Sequence, residues 1–115
     1  EAITHNETVD VPATMLKVKD AKLSFVLKVQ GDSMIDDGIL DGDYVVIKKQ
    51  MQAENGQTVV ALINNEATIK RFYRRAGQVE LHAANPKYKP IIVAESESDE
   101  FKIEGILMGV IRLCR

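Results

Sequence analysis

The segment Gly31-Asp32-Ser33-Met34 places a serine just after a strand-ending glycine, on a sharp turn. There a hydroxyl can stand exposed while neighbouring backbone N–H groups converge on one spot, which is what an oxyanion hole needs. A serine hydroxyl is a weak nucleophile near neutral pH and requires a base. The two histidines, His5 and His82, lie far apart, and His82 sits in a strand-like stretch where a structural or surface role is the simpler reading. Lysine is the alternative. A lysine accepts a proton only when neutral, and desolvation favours the neutral form, so the candidate should point inward. In Ala67-Thr68-Ile69-Lys70-Arg71-Phe72-Tyr73, strand alternation puts Lys70 on the face of Thr68 and Phe72 and turns Arg71 the other way. The candidate pair is therefore Ser33 with Lys70. Composition does not single it out, because the chain has ten lysines and four serines. Lys70-Arg71 with Arg74-Arg75 fits a solvated hairpin equally well.

Other chemistries find little support. No paired-Cys or Cys/His spacing suits zinc, and no glycine-rich phosphate loop occurs. Asp36, Asp37, Asp41 and Asp43 cluster without the spacing of a calcium loop, and turn formation accounts for them. Neither a metal nor a cofactor is expected. The single cysteine, Cys114, excludes an internal disulfide and fits a reducing, cytoplasmic setting. The net charge of −2 supplies no basic footprint for nucleic acid. No apolar run approaches the roughly 18 residues of a membrane span. The polar N-terminus lacks the basic region of a signal peptide, so no membrane association is expected.

The elements that must position the pair are strands. A length of 115 residues, 45% of them hydrophobic and 28% charged, predicts one globular domain over 1–115. Residues 1–14 read as an extended, poorly anchored arm. Leu23, Phe25, Leu27 and Val29 alternate, predicting a half-buried strand over 22–30. One helical turn is expected over 33–38, with Asp32 as its N-cap. Asp41-Gly42-Asp43 is a turn leading into the β-branched strand 44–47. Asn55-Gly56 is a strong hairpin signal. Strands are expected over 57–63, 66–73, 78–82 and 89–93, separated by Asn64-Asn65, Ala76-Gly77 and Asn85-Pro86. An acidic loop over 95–100 precedes a last strand over 101–113. About seven short strands with frequent turns predict a mainly β fold, an antiparallel sandwich or partly closed barrel.

Four ordered blocks resemble the LexA/UmuD family of serine-lysine autopeptidases, also called peptidase S24. They are Val29-Gln30-Gly31-Asp32-Ser33-Met34-Ile35 with Asp37–Val45; Asn55-Gly56 with Glu66-Ala67-Thr68-Ile69-Lys70-Arg71-Phe72; Asn85-Pro86 with Pro90–Val93; and Ile103-Glu104-Gly105 with Gly109-Val110-Ile111-Arg112. The resemblance runs from about Leu27 onward and implies the small antiparallel β-domain of the LexA and signal-peptidase type. It aligns Ser33 with the family nucleophile and Lys70 with its base, 37 residues apart. It implies that neutral Lys70 deprotonates Ser33 for attack on an Ala-Gly-type bond in the same chain. Backbone N–H groups of Asp32 and Ser33 would form the oxyanion hole. It further implies a homodimer, with the strand over 101–115 as the pairing edge, and stimulation by a RecA–single-stranded-DNA filament.

Two departures matter. The family's DNA-binding helix-turn-helix is absent, so operator DNA would be bound only through a domain outside this chain. No Ala-Gly or Cys-Gly precedes Ser33, and Ala76-Gly77 lies in the wrong place. The chain is expected to begin near or just past the scissile bond. The favoured expectation is the self-cleaving C-terminal domain of a LexA-like repressor of the SOS DNA-damage response. The alternatives are a UmuD-like accessory subunit of a translesion polymerase, a phage repressor, a signal peptidase and an inactive interaction domain.

Overall fold

The computed structural model describes residues 3–4, 23–94 and 101–114. Among the described residues, eight strands form one sheet: β1 (Ile3–Thr4), β2 (Ser24–Val29), β3 (Tyr44–Lys49), β4 (Thr58–Ile63), β5 (Glu66–Arg75), β6 (Gln78–His82), β7 (Ile91–Ala94) and β8 (Phe101–Ile111). Their spatial order is β1-β2-β3-β8-β4-β5-β6-β7, and every pairing is antiparallel. The expected mainly β, antiparallel fold is observed. Of the arm over 1–14, Ile3 and Thr4 pair with Val29 and Lys28 at the sheet edge, so this stretch is anchored. The rest of the arm and the acidic loop over 95–100 lie outside the described residues.

Two hairpins follow directly from local sequence. Asn64-Asn65 joins β4 to β5, and Ala76-Gly77 joins β5 to β6. All four residues have positive φ, as two-residue turns matched to the strand twist require. The Asn55-Gly56 expectation needs correction, because this turn does not join paired strands. Strand β8 enters between β3 and β4, so the chain on either side of the turn cannot pair with itself. The turn is instead fastened to β5: Asn55 Nδ2 donates to the Arg74 carbonyl, the Arg74 N–H donates to Asn55 Oδ1, and the Gly56 N–H donates to the Phe72 carbonyl.

Strand β8 is central, which corrects the expectation that residues 101–115 form a sheet edge. Its first half pairs with β4 and its second half with β3. The register slips twice, at Glu104 opposite β4 and at Met108 opposite β3, and each slip is a one-residue bulge. Two flanks of β8 have no strand neighbour among the described residues: that of Leu107–Ile111 away from β3 and that of residues 101–104 away from β4. At Gly105 the strands approach so closely that a Cβ would lie 2.3 Å from the Lys48 carbonyl oxygen and 2.5 Å from Ile47 Cγ2.

Alternation along β4 and β5 feeds two cores. Val60 and Ile69 pack with Leu27, Val29, Met34, Ile39, Val45 and Ile47. Val59, Ala61 and Phe72 pack with Val79, Leu81, Val93, Ile103 and Ile106 on the other side. Both faces of β4 and β5 are therefore covered, and their runs Val59-Val60-Ala61 and Thr68-Ile69-Lys70 are continuously buried. A strand buried on both faces loses the polar-out alternation of a half-exposed one. Lys70 is thus held in a stretch of β5 that is buried on both faces.

Candidate active site

Ser33 lies in the turn after β2 and leads into a 3₁₀ turn, Ile35–Asp37, that ends on Gly38 in the left-handed region. The expected single helical turn is present, but Asp32 does not cap it: the cap position is Met34, with no side-chain cap bond. The Asp32 carboxylate instead accepts from the Tyr88 hydroxyl and from Lys87 Nζ. The Tyr88 hydroxyl foremost, then the Lys87 ammonium, hold that carboxyl below its usual range. Met34 and Ile39 anchor the turn in the first core.

Lys70 sits on β5 opposite Val59. Thr68, Lys70 and Phe72 are all buried, as alternation predicts. Arg71 points the other way and grips both carboxylate oxygens of Asp37 at 2.6 Å. That exposed ion pair ties the strand carrying Lys70 to the turn carrying Ser33.

The structure brings the two candidates together. Lys70 Nζ is 3.1 Å from Ser33 Oγ, 2.6 Å from Thr68 Oγ1 and 3.1 Å from the Ile69 carbonyl oxygen. Ser33 is 1% exposed and Lys70 5%. The expectation of an exposed serine is thereby corrected. The turn is folded under the loop after β6, where the Ala84 N–H donates to the Ser33 carbonyl and the Asp36 N–H to the Ala84 carbonyl.

This geometry suits a base. A neutral amine has two N–H donors and one lone pair. Thr68 Oγ1 and the Ile69 carbonyl can accept the two donors, which leaves the lone pair for the Ser33 hydroxyl. The Ile69 carbonyl can only accept, so it fixes the rotation of the amine. Beside Lys70 and Thr68 opens a cleft of about 390 Å³, also lined by Ile63, Asn64, Glu66, Tyr88, Lys89 and Ile91. Residues 66–70 of β5 pair with β4 on one side only, since pairing with β6 begins at Arg71–His82. The opposite flank has no strand neighbour among the described residues.

The remaining candidates fall elsewhere. His82 contacts Glu80 at 3.0 Å and stacks edge-on to Tyr73, with no part in the serine site. The His82 imidazole foremost holds the Glu80 carboxyl below its usual range. Three of the clustered aspartates have structural partners: Asp37 binds Arg71, Asp41 accepts the Gly31 N–H, and Asp43 binds Arg112. No group of side chains that could hold a metal occurs among the described residues, and no helix there is long and apolar enough to cross a membrane. Sequence reading did not give Thr68, Asn85 or Tyr88 a role at the site. Thr68 was signalled by sharing a face with Lys70, whereas Asn85 and Tyr88 act across more than 50 residues of separation.

Fold and site together define a small all-β domain whose buried serine is paired with a lysine rather than a histidine. The Peptidase S24-like family model matches residues 1–108, and the chain belongs to that family. It is 55% identical over 112 residues to a LexA repressor of Syntrophotalea carbinolica, covering 97% of this chain and 53% of the relative. A LexA repressor of Syntrophobacter fumaroxidans is 42% identical over 112 residues, covering 97% and 52%. One from Anaeromyxobacter dehalogenans is 46% identical over 106 residues, covering 92% and 46%. The chain thus spans about half the length of the curated relatives it matches.

Proposed function

We propose that this chain is the self-cleaving C-terminal domain of a LexA-like transcriptional repressor of the DNA-damage response. The observation that carries the reading is the Ser33–Lys70 contact at 3.1 Å inside a buried site. Lys70 Nζ takes the proton from Ser33 Oγ as Oγ bonds to the carbonyl carbon of an Ala-Gly-type peptide bond. Backbone N–H groups of Asp32 and Ser33 stabilise the oxyanion. The C–N bond then breaks, and the Lys70 ammonium returns the proton to the departing amine. Water hydrolyses the Ser33 ester in a second round, with Lys70 again as base. The scissile segment enters the cleft extended along the flank of Glu66–Lys70 that β6 does not reach, a placement supported by the strand pairing.

The repressor reading is supported by the names of the relatives, which favour it over an accessory polymerase subunit. In it, operator DNA is bound by a helix-turn-helix domain outside these 115 residues, in the cytoplasm, and a RecA–single-stranded-DNA filament promotes cleavage. A second copy pairs along the outer flank of Leu107–Ile111, beside the partly exposed Met108. The test is cleavage of an Ala-Gly peptide in trans at alkaline pH. The parent chain cleaves it, and Ser33→Ala and Lys70→Ala each abolish cleavage. Cleavage that survives Ser33→Ala removes the reading.

A further inference from the structure

A second loop grips the Ser33 turn. Within Ala84–Tyr88, the Ala84 N–H binds the Ser33 carbonyl, and the Ala84 carbonyl accepts from the Asp36 N–H. Asn85 Nδ2 donates to the Asp32 carbonyl oxygen at 2.8 Å. Lys87 Nζ and the Tyr88 hydroxyl bind the two oxygens of the Asp32 carboxylate. Asn85 is 5% exposed, and a buried amide in a surface loop needs a reason, because burial without partners is costly. Its Oδ1 accepts the Lys87 N–H at 3.0 Å, which settles the orientation of the amide and directs Nδ2 at Asp32.

The target of that bond gives the reason. The Asp32 carbonyl belongs to the same planar peptide unit as the Ser33 N–H. No described peptide bond is cis, and in a trans unit the C=O and N–H point in opposite directions. Fixing where the Asp32 oxygen points therefore fixes where the Ser33 N–H points. A hydrogen bond accepted at that carbonyl also polarises the unit and strengthens its N–H as a donor.

We propose that Asn85 is a positioning residue that aims the Ser33 N–H at the oxyanion by holding the Asp32 carbonyl from behind. Lys87 and Tyr88 support it from the surface through the Asp32 carboxylate. Asn85 touches no reacting atom. The inference rests on the reading of Ser33 as nucleophile.

The test uses Asn85→Ala and Asn85→Asp in the 115-residue chain. The aspartate keeps an acceptor for the Lys87 N–H and loses the donor to Asp32. Cleavage of the Ala-Gly peptide in trans is followed against pH and substrate concentration, with thermal melts alongside. Losing an oxyanion donor outright costs about 100- to 1,000-fold in kcat, so misdirecting one is expected to cost about 10- to 100-fold. In Asn85→Ala, KM and the midpoint of the pH–rate curve stay at the parent values, because no charge is introduced and the base and the cleft are untouched. The loss persists well below the melting temperature. A folded variant within about threefold of the parent kcat overturns the inference, being far less than a misdirected donor costs. A moved midpoint with an unchanged plateau also overturns it, since that places the effect on Lys70. If neither variant folds, the surface double variant Lys87→Ala with Tyr88→Phe decides: kcat should fall about three- to tenfold, the scale of one or two modest hydrogen bonds, and an unchanged kcat overturns the inference. Loss of cleavage in Ser33→Ala together with parent-like Asn85 variants removes this inference alone. Cleavage surviving in Ser33→Ala removes the parent reading as well.

Discussion

Gly105 is one of two adjacent residues, with Ile106, at which β8 pairs with both of its neighbours; it faces Lys49 of β3 and Val60 of β4. Gly105→Ala would put a methyl group 2.3 Å from the Lys48 carbonyl oxygen, 2.5 Å from Ile47 Cγ2 and 3.1 Å from the Lys48 carbonyl carbon. Two of those atoms are backbone, and Ile47 is fully buried, so no flexible side-chain end can swing aside. Relief requires β3 and β8 to separate by about 1 Å to reach ordinary carbon contact. Overpacking a core costs about 1–3 kcal/mol. Stretching one or two ladder hydrogen bonds adds about 1 kcal/mol each. The expected loss is about 3 kcal/mol, or roughly 12 °C in Tm for a domain of this size. Gly77→Ala is the control. Nothing lies within 4 Å of its added Cβ, and its φ of +76° supplies the only penalty, about 1–2 kcal/mol. Urea denaturation of the two variants and the parent, with unchanged m-values, reads both costs. A Gly105→Ala loss below about 1 kcal/mol, smaller than any overpacking term, would refute the steric argument.

Three further outcomes are expected. Thr68→Val keeps the shape of the side chain but removes the acceptor 2.6 Å from Lys70 Nζ; leaving that buried donor without its partner should slow peptide cleavage about tenfold and cost about 1–3 kcal/mol of stability in the urea assay. Asp43 is buried, and Arg112 foremost, through two bonds at 2.7 Å, holds its carboxyl below the usual range. Because the folded-state pKa is depressed, this carboxylate contributes stability above about pH 3.9, the unfolded value, and the contribution disappears as pH falls through the folded value. Asp43→Asn should therefore lower the melting temperature at pH 7 and narrow its gap to the parent in acid; a gap independent of pH contradicts the assignment. Ala76 adopts a φ of +50° in the β5–β6 turn, and Ala76→Asn should raise stability by about 0.5–1 kcal/mol in the same urea assay, since asparagine tolerates that region better.

How much of this was legible in the sequence depends on the range of the interaction. Alternation along β5 placed Thr68, Lys70 and Phe72 inward without any tertiary information, because strand period alone decides it. The turns at Asn64-Asn65 and Ala76-Gly77 were equally local. Asn55-Gly56 misled because the strand that separates β3 from β4 comes from the far end of the chain. For the same reason β8 read as an edge: nothing in residues 101–113 reveals that its two halves take different partners. Asp32 looked like a cap because its competitors, Lys87 and Tyr88, are more than 50 residues away. The serine read as exposed because the loop that buries it also comes from beyond β6. The Ser33–Lys70 contact itself was suggested by residue type and face, and only the fold supplies its distance.

The central claim is that Lys70 makes Ser33 nucleophilic, and covalent labelling with a serine-directed fluorophosphonate followed by intact-mass and peptide mass spectrometry tests it most directly. The parent chain should take up one label, on Ser33, and faster in alkaline than in acidic buffer, as base catalysis requires. Folded Lys70→Ala should remain unlabelled over the same time. Labelling of Lys70→Ala at the parent rate, or a label on any residue other than Ser33, would contradict the account.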